Sequence, residues 1–461
     1  MTLVSDQPNV ILVQKDHTII NVLILGVILP LVDTTLINTS LHSIAVQFGA
    51  PLSTAQWIVS AYFLAAASAA TLCAWLTQRI GAKQLWLGSL WVFLAGIFLS
   101  ALAPGVELLI FSRVLQGIAT GLLLPTMQTI VVTLIGRSKT KAALAAMSIP
   151  SVMAPIFGPL IGGMTVVLFD WRVLFLAQVP LCILAIIAAS RKIPATAKSP
   201  VSPFDAMGFL LLCPALIATL YGLSKVSEPD TTLWQASLLI GMILMAAFIW
   251  HSRRKKEKSL MDFSLFKSEK LKSSCALLFF SSIAYYGGIL LFPLYLIQAG
   301  HYGPNGAGLM LALHGVGTLI ARYKLSWICR MWNDKAIAMA AIFIGIAGST
   351  ILIAPLAIEH PYLIAVGMIL RGAGVGVLTI LSMSGAYQEL APAQVAHASS
   401  LTRIVTHLGA TLGATAVAGA AVLSDTTVAL ATGDYIRGQG MLMVSLVACG
   451  FFCQRLQKQS A

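Results

Sequence analysis

Residues 148–163 read SIPSVMAPIFGPLIGG, and the reading of this run decides the fold. It is almost wholly apolar, yet it holds Pro150, Pro155 and Pro159 together with Gly158, Gly162 and Gly163. In water such a segment is a poor helix, because proline removes a backbone donor and clashes with the preceding turn. Inside a bilayer both residues are tolerated, since neighbouring helices and local adjustments satisfy the freed backbone groups. Gly158 and Gly162 are one helical turn apart and make a smooth groove that another helix can approach closely. A bent helix with such a groove suits a protein whose helices move against one another.

The rest of the chain supports a membrane setting. Of 461 residues, 58% are hydrophobic and 10% charged, against about 25% charged in soluble domains. Mean hydropathy is +0.89. The ruler of roughly 20 apolar residues per span gives fourteen expected spans. Six lie in 18–190, two in a linker at 191–250 and six in 274–453. A tail over 1–17, a basic loop over 251–273 and a tail over 454–461 complete the chain. The fold class expected is therefore an all-α polytopic membrane protein. The N-terminal stretch lacks the pattern of a cleavable signal, and the first apolar run is long enough to span. The seven cysteines fall in or beside apolar segments without a CxxC or Cys/His cluster, so they read as small buried hydrophobes and no metal is expected.

The net charge of +13 is informative through its distribution. With the N-terminus inside, all but six of the 29 Lys and Arg residues fall on cytoplasmic segments; Arg172, Lys225 and Arg437 fall outside, and Arg113, Arg371 and Arg403 within spans. Both termini are thus expected in the cytoplasm of a plasma (inner) membrane. Basic charge of this kind is a topology signal and excludes a nucleic-acid partner. The run HSRRKKEKS at His251–Ser259 reads as a solvated loop against anionic lipid.

A faint repeat relates the two six-span sets. VLQGIATG at Val114–Gly121 aligns with ILRGAGVG at Ile369–Gly376, and GPLIGG at Gly158 with GATLGA at Gly409. Repeated halves with glycine-rich, broken helices at matching places point to a transporter with its site near the midplane.

Ionisable residues inside spans are functional candidates by default. Asp33 lies in the first span, where burial disfavours a lone charge; it is a candidate proton acceptor, or it pairs with an arginine or bonds locally. Arg113 in the fourth span needs a partner and has Gln116 and Gln128 nearby in sequence; it either takes part in proton transfer or clamps backbone carbonyls. Arg371 and Arg403 act within the membrane or snorkel to its inner face. His314 and His407 are candidates for titration or for packing. Asn38, Trp57, Tyr62, Gln116, Tyr285, Tyr286 and His314 are the candidates for lining a cavity for an amphipathic compound, with belt or packing roles as the alternative for the aromatics. No GxxxxGK[ST] or HExxH motif occurs, so neither ATP hydrolysis nor another enzymatic activity is expected. A proton gradient, rather than a cofactor, is the economical energy source.

At this point several motifs resemble those of the major facilitator superfamily, specifically its fourteen-span drug/proton antiporter branch. LVDTTLINTSL at Leu31–Leu41 resembles the branch's first-span motif, and WLTQRIGAKQL at Trp75–Leu85 the superfamily loop motif, with Gln78 where aspartate is usual. RVLQG at Arg113–Gly117 resembles the fourth-span motif and MAPIFGPLIGG at Met153–Gly163 the fifth-span antiporter motif. WRVLFLAQVP at Trp171–Pro180 and SSLTRIVTHLGATLG at Ser399–Gly413 are similar to further signatures, Gln178 replacing asparagine in the first.

The resemblance implies two six-helix bundles with two additional central helices. It implies proton coupling through Asp33 with Arg113 in the relay. Arg79, Gly81, Lys83, Gly158, Pro159, Gly162 and Gly163 would serve gating. The function expected is proton-coupled efflux of small amphipathic drugs by alternating access, with or without a periplasmic adaptor. The alternatives are a transporter of one metabolite (an amino acid, siderophore or lipid-like compound) and a non-transporting membrane sensor.

Overall fold

The computed structural model describes residues 14–50, 52–147, 153, 169–196, 203–224, 231–255, 259, 263–298, 304–353, 360–390, 392–422 and 432–454. Their regular structure is helical. The first set comprises α1 (Gln14–Gln47), α2 (Leu52–Ile80), α3 (Ala82–Ala101), α4 (Val106–Ile130), α5 (Arg137–Met147), α6 (Arg172–Leu176) and α7 (Gln178–Lys192). Two middle helices follow, α8 (Ala206–Ser224) and α9 (Thr231–Lys255). The second set comprises α10 (Glu269–Gln298), α11 (Pro304–Met331), α12 (Asp334–Ile353), α13 (Pro361–Gly385), α14 (Pro392–Val422) and α15 (Thr432–Cys453).

Among the described residues, 11 helices are long and apolar enough to cross a membrane. Three expected spans stand outside that number for identifiable reasons. Helix α11 carries His314, Arg322 and Lys324, and α14 carries His397, Arg403 and His407 among many serines and threonines; polar side chains lower their hydropathy without stopping the helices. The fifth span is described only over α5 and at Met153 and Phe169, so Gly158, Pro159, Gly162 and Gly163 lie outside the described residues.

Glycine explains how the inner helices approach. A side chain at Gly117 would collide with the Tyr62 carbonyl, and one at Gly121 with the Ala66 carbonyl, so α4 packs backbone to backbone on α2. The second set repeats the contact: Gly372 of α13 meets the His314 carbonyl and Gly376 meets Thr318, both on α11. The faint sequence repeat is thus a repeated packing unit, with Tyr62 and His314 in matching seats. Gly409 and Gly413 likewise bring α14 onto the Phe279 and Ile283 carbonyls of α10.

Burial ranks the helices. In α4 and its continuation, 78% of the most apolar window is inside the protein, whereas α9 buries only 11%. Helix α4 is therefore central, and α9 is peripheral, packing one face on α8 where Gly241 meets Thr219 and Ala215. The middle pair is tied together by Asp205, which precedes α8: its Oδ1 accepts from the Gly208 N–H (3.1 Å) and from Lys255 (3.0 Å), and it pairs with His251 at 2.9 Å. An acid before the first turn also suits the positive end of a helix.

Two expected limits are corrected, the end of the first span at Thr39 and that of the tenth at Ala321. Helix α1 continues past the expected end of the first span to Gln47. The sixth span, by contrast, runs on from α6 into α7 through Ala177, whose N–H donates to the Val173 carbonyl at 2.9 Å. Arg322, expected in a cytoplasmic loop, lies on α11 and is buried, its Nε donating to the Gly376 carbonyl at 3.2 Å and its Nη2 to Thr379 at 3.0 Å. Close packing against glycine-bearing α13 supplies carbonyls that a loop arginine would not need.

Candidate polar site in the helix core

Asp33 and Arg113 are 0% and 1% exposed and form an ion pair. The chain positions both from helix interiors. Pro30 cannot donate to the Gly26 carbonyl, which loosens α1 one turn before Asp33, and Thr34 caps the local carbonyls of Pro30 and Leu31 with its hydroxyl. Arg113 stands on α4 one turn ahead of the Gly117 contact, so its guanidinium reaches across α2. Its Nη1 donates to Asp33 and to Gln116 Oε1, and its Nε to the Ile58 carbonyl at 3.2 Å. The Tyr62 ring lies under the guanidinium at 4.3 Å, and the Tyr62 hydroxyl meets Thr120 at 2.8 Å.

Gln178 closes the other side. Its Nε2 donates to the Leu174 carbonyl at 3.0 Å and reaches Asp33 Oδ1 at 3.4 Å. Apart from the pair, the named cradle of Ile58, Tyr62, Gln116, Thr120 and Gln178 is uncharged. The site is therefore neutral with Asp33 ionised and carries one positive charge with Asp33 protonated. Two amide atoms, Gln116 Nε2 and Gln178 Oε1, are buried there without a hydrogen-bond partner among the described residues. Sequence reasoning took Gln178 only as a departure from a motif; a glutamine inside an apolar run was the available signal.

The expected cavity residues divide between the two sets. Tyr62 and Gln116 join the ion pair, whereas Trp57 is 43% exposed and stacks on Tyr221 of α8 at 6.2 Å. Asn38 is placed on α1, and only its backbone is described. Tyr285, Tyr286 and His314 gather in the second set: the Tyr285 ring is 5.2 Å from that of Tyr286 and 5.7 Å from that of His314. Arg371 belongs to this second group and is 0% exposed, so it does not snorkel.

The loop-motif residues hold a corner rather than the core. Gly81 has φ +90°, which lets α2 turn directly into α3, and a side chain there would also strike Gln84 and Thr196. Lys83 donates through Nζ to the Ser190 carbonyl at 2.8 Å and through its backbone N–H to Thr196 at 3.2 Å. Arg79 is exposed and lies over Trp75 at 5.0 Å.

At this same end the two sets are fastened together. Gln78 meets His397 of α14 at 2.9 Å. The Tyr387 hydroxyl, just past α13, donates to Gln128 Oε1 at 2.6 Å and meets Thr402 at 2.7 Å. Gln128 Nε2 donates to Met383 Sδ at 3.3 Å, and Thr129 meets Ser399 at 3.4 Å. Among the described residues, side-chain hydrogen bonds join the two sets at the loop-motif end, with Gln78 bonding where the family motif has a carboxylate.

Comparison with known proteins places these features in a family. The sequence profile of the Major Facilitator Superfamily matches residues 23–414. A Multidrug resistance protein B homolog of Mycobacterium tuberculosis is 30% identical over 399 residues, covering 85% of this chain and 74% of that protein. The Multidrug export protein EmrB of Escherichia coli is 27% identical over 297 residues, covering 63% of this chain and 58% of its own. Among solved structures, the human organic anion transporter MFSD10 (TETRAN) shares the fold at a TM-score of 0.65 and 15% identity, over 96% of this chain and 100% of that one. The proton:xylose symporter XylE also has a TM-score of 0.65, at 13% identity over 94% of each chain. With its helical repeat, buried polar core and a profile match over most of its length, the chain belongs to the Major Facilitator Superfamily, a family of membrane transporters.

Proposed function

We propose that the protein exports small amphipathic compounds across the plasma membrane in exchange for protons, with both termini in the cytoplasm. The observation that carries this reading is the buried Asp33–Arg113 pair in its uncharged cradle. Protonation of Asp33 removes one charge and leaves Arg113 with only Gln116, the Ile58 carbonyl and the Tyr62 face. An attraction between unit charges about 4 Å apart is worth about 4 kcal/mol at the effective dielectric of ~20 found near protein charges. A shift of about 5.5 kcal/mol swings a two-state equilibrium from 1:99 to 99:1. Losing the pair is thus of the size needed to change which conformation is favoured.

In this cycle Asp33 takes a proton from the outer side, the pair separates and the cargo leaves outward. Loss of the proton to the cytoplasm restores the pair. The seam closed by Gln128, Tyr387 and Ser399, intact here together with the pair, is the inner gate, which opens while the pair is separated and closes again when the pair reforms with cargo bound. The multidrug names of the relatives support an exporter of toxic compounds over a transporter of a single metabolite. Purified protein in proteoliposomes under an imposed pH gradient tests this: members of a panel of cationic (ethidium), neutral and anionic amphipathic compounds should move against the proton flow. No gradient-dependent movement of any member of such a panel would reject the reading.

A further inference from the structure

The second helix set holds positive charge that the proton-coupling site does not use. In the packing repeat Gly372 matches Gly117, so Arg371 occupies the place of Gln116. In the first set the arginine has Asp33; the second set has no such acid. The acidic residues after residue 273 are Asp334, Glu359, Glu389, Asp425 and Asp434, none in the interior of an expected span.

Arg371 is 0% exposed. Its Nη2 donates to the Ala284 carbonyl, and its guanidinium lies 4.8 Å from the centre of the Phe292 ring. Its Nε and Nη1 have no hydrogen-bond partner among the described residues. Gly288 of α10 makes the room, since a side chain there would strike the guanidinium. A buried guanidinium with idle donors is costly unless something of opposite charge or high polarity meets it.

A second unsatisfied group stands on the neighbouring helix. Gln439 of α15 is 0% exposed, and both its Oε1 and Nε2 lack partners among the described residues. It is one turn from Tyr435, which stacks on Tyr295 of α10 at 3.7 Å and contacts Phe292, and nearly one turn from Leu442, which packs against Gly287. Of these α10 residues Phe292 lies beside Arg371, and Gly287 adjoins the Gly288 seat. Arg371 lies within electrostatic reach of Tyr285 and Tyr435, and His314 within reach of Arg371 and Arg322. The group reaches the molecular surface through Tyr286, 41% exposed and within reach of Arg322 and Arg403.

We infer that Arg371, assisted by Gln439 and the Tyr285–Tyr286 pair, binds the anionic group of the exported compound, so that the protein's preferred cargo is an aromatic or amphipathic organic anion carrying a carboxylate or sulfonate. The planar fork of arginine matches such an oxyanion, an amide adds a donor, and the tyrosine rings and Phe292 offer the apolar face that its body needs. Cargo charge and proton charge then occupy separate halves, the anion at Arg371 and the proton at Asp33. The inference rests on the export reading for the word cargo, though binding at Arg371 is measurable without transport.

The test uses the full chain purified in a zwitterionic detergent in gluconate buffer, titrated with 2-naphthoate and with its neutral isostere 2-naphthamide. Wild-type protein should bind naphthoate at least about tenfold more tightly, an energy difference of about 1.4 kcal/mol. Arg371→Gln should erase the preference, Arg371→Lys should keep the larger part of it, and Gln439→Leu should weaken naphthoate alone. Because the wild-type comparison needs no variant, misfolding of R371Q does not shelter the inference. Equal affinity for the two compounds overturns it, as does a preference that survives in folded R371Q. Chloride or inorganic phosphate binding as tightly as naphthoate would make this an inorganic-ion site and likewise overturn it. In proteoliposomes, gradient-driven movement of ethidium with no naphthoate preference fails the anion site alone; naphthoate binding without any gradient-driven transport fails the export reading alone.

Discussion

Replacing Asp33 by asparagine leaves the Arg113 guanidinium buried opposite a neutral amide. Both side chains are essentially inaccessible, at 0% and 1% exposure, so water cannot take over the lost role. Removing one member of a buried pair costs about 3–5 kcal/mol. Arg113 keeps Gln116, the Ile58 carbonyl and the Tyr62 ring, which favours the low end, about 3 kcal/mol. If one helix set unfolds as a unit, that lowers Tm by roughly 6–12 °C, taking about 2–4 °C per kcal/mol for a body of that size.

Arg113→Gln should cost less, because the stranded carboxylate can take up a proton and become neutral. The double variant D33N/R113Q contains no buried charge at this site and should recover most of the stability, since neutral replacement of a buried pair is often tolerated. Thermal unfolding of the four purified proteins closes the cycle. Coupling of at least about 1 kcal/mol is expected; additivity within the usual ~0.3–0.5 kcal/mol of independent sites would refute the pair as an energetic unit.

Other expectations follow from separate contacts. Gly372→Val should place a branched side chain against the His314 carbonyl, separating α11 from α13 and lowering stability by about 1–3 kcal/mol; unaltered unfolding would contradict the packing repeat. Tyr387→Phe removes the hydroxyl that joins Gln128 to Thr402, and crosslinking of cysteines placed across the seam between the two helix sets should fall while expression is retained. Partial burial works to raise the Asp170 pKa, but the Arg172 backbone N–H, Gln47 and the Arg172 charge prevail and hold the carboxyl below the usual aspartate range. Its stabilising contribution is therefore present above the ordinary aspartate pKa of 3.8 and lost as pH falls through the lower folded value. Asp170→Asn should flatten that part of the acid unfolding profile; an unchanged profile would show that the Asp170–Arg172 corner contributes nothing.

The helical character and the singular place of Asp33 and Arg113 were legible because their signals are local. A lone acid and a lone arginine inside apolar runs stand out on composition, and the paired glycines of α4 and α13 mark close approach. What escaped reading depends on partners distant in sequence. Arg322 sits near Lys324 and Arg330 and so looked like loop charge; only the carbonyls of α13 make it a buried residue. Arg371 was open to snorkelling until the Gly288 seat and the Ala284 carbonyl were seen. The seam between the two helix sets was invisible in the same way, since Gln128 and Tyr387 are 259 positions apart. The tyrosine and tryptophan candidates were the least decidable, because aromatic rings serve belts, packing and cavities alike: Tyr62 joins the ion pair while Trp57 faces outward.

The central claim is that Asp33 couples proton movement to cargo movement. Its most direct test is proton flux in proteoliposomes containing a trapped pH dye, with cargo added to one side and no initial pH gradient. Wild-type protein should move protons opposite to the cargo, while Asp33→Asn, checked for folding and for passive cargo exchange, should carry cargo downhill without moving protons. Cargo-driven proton flux that persists in Asp33→Asn would contradict the account.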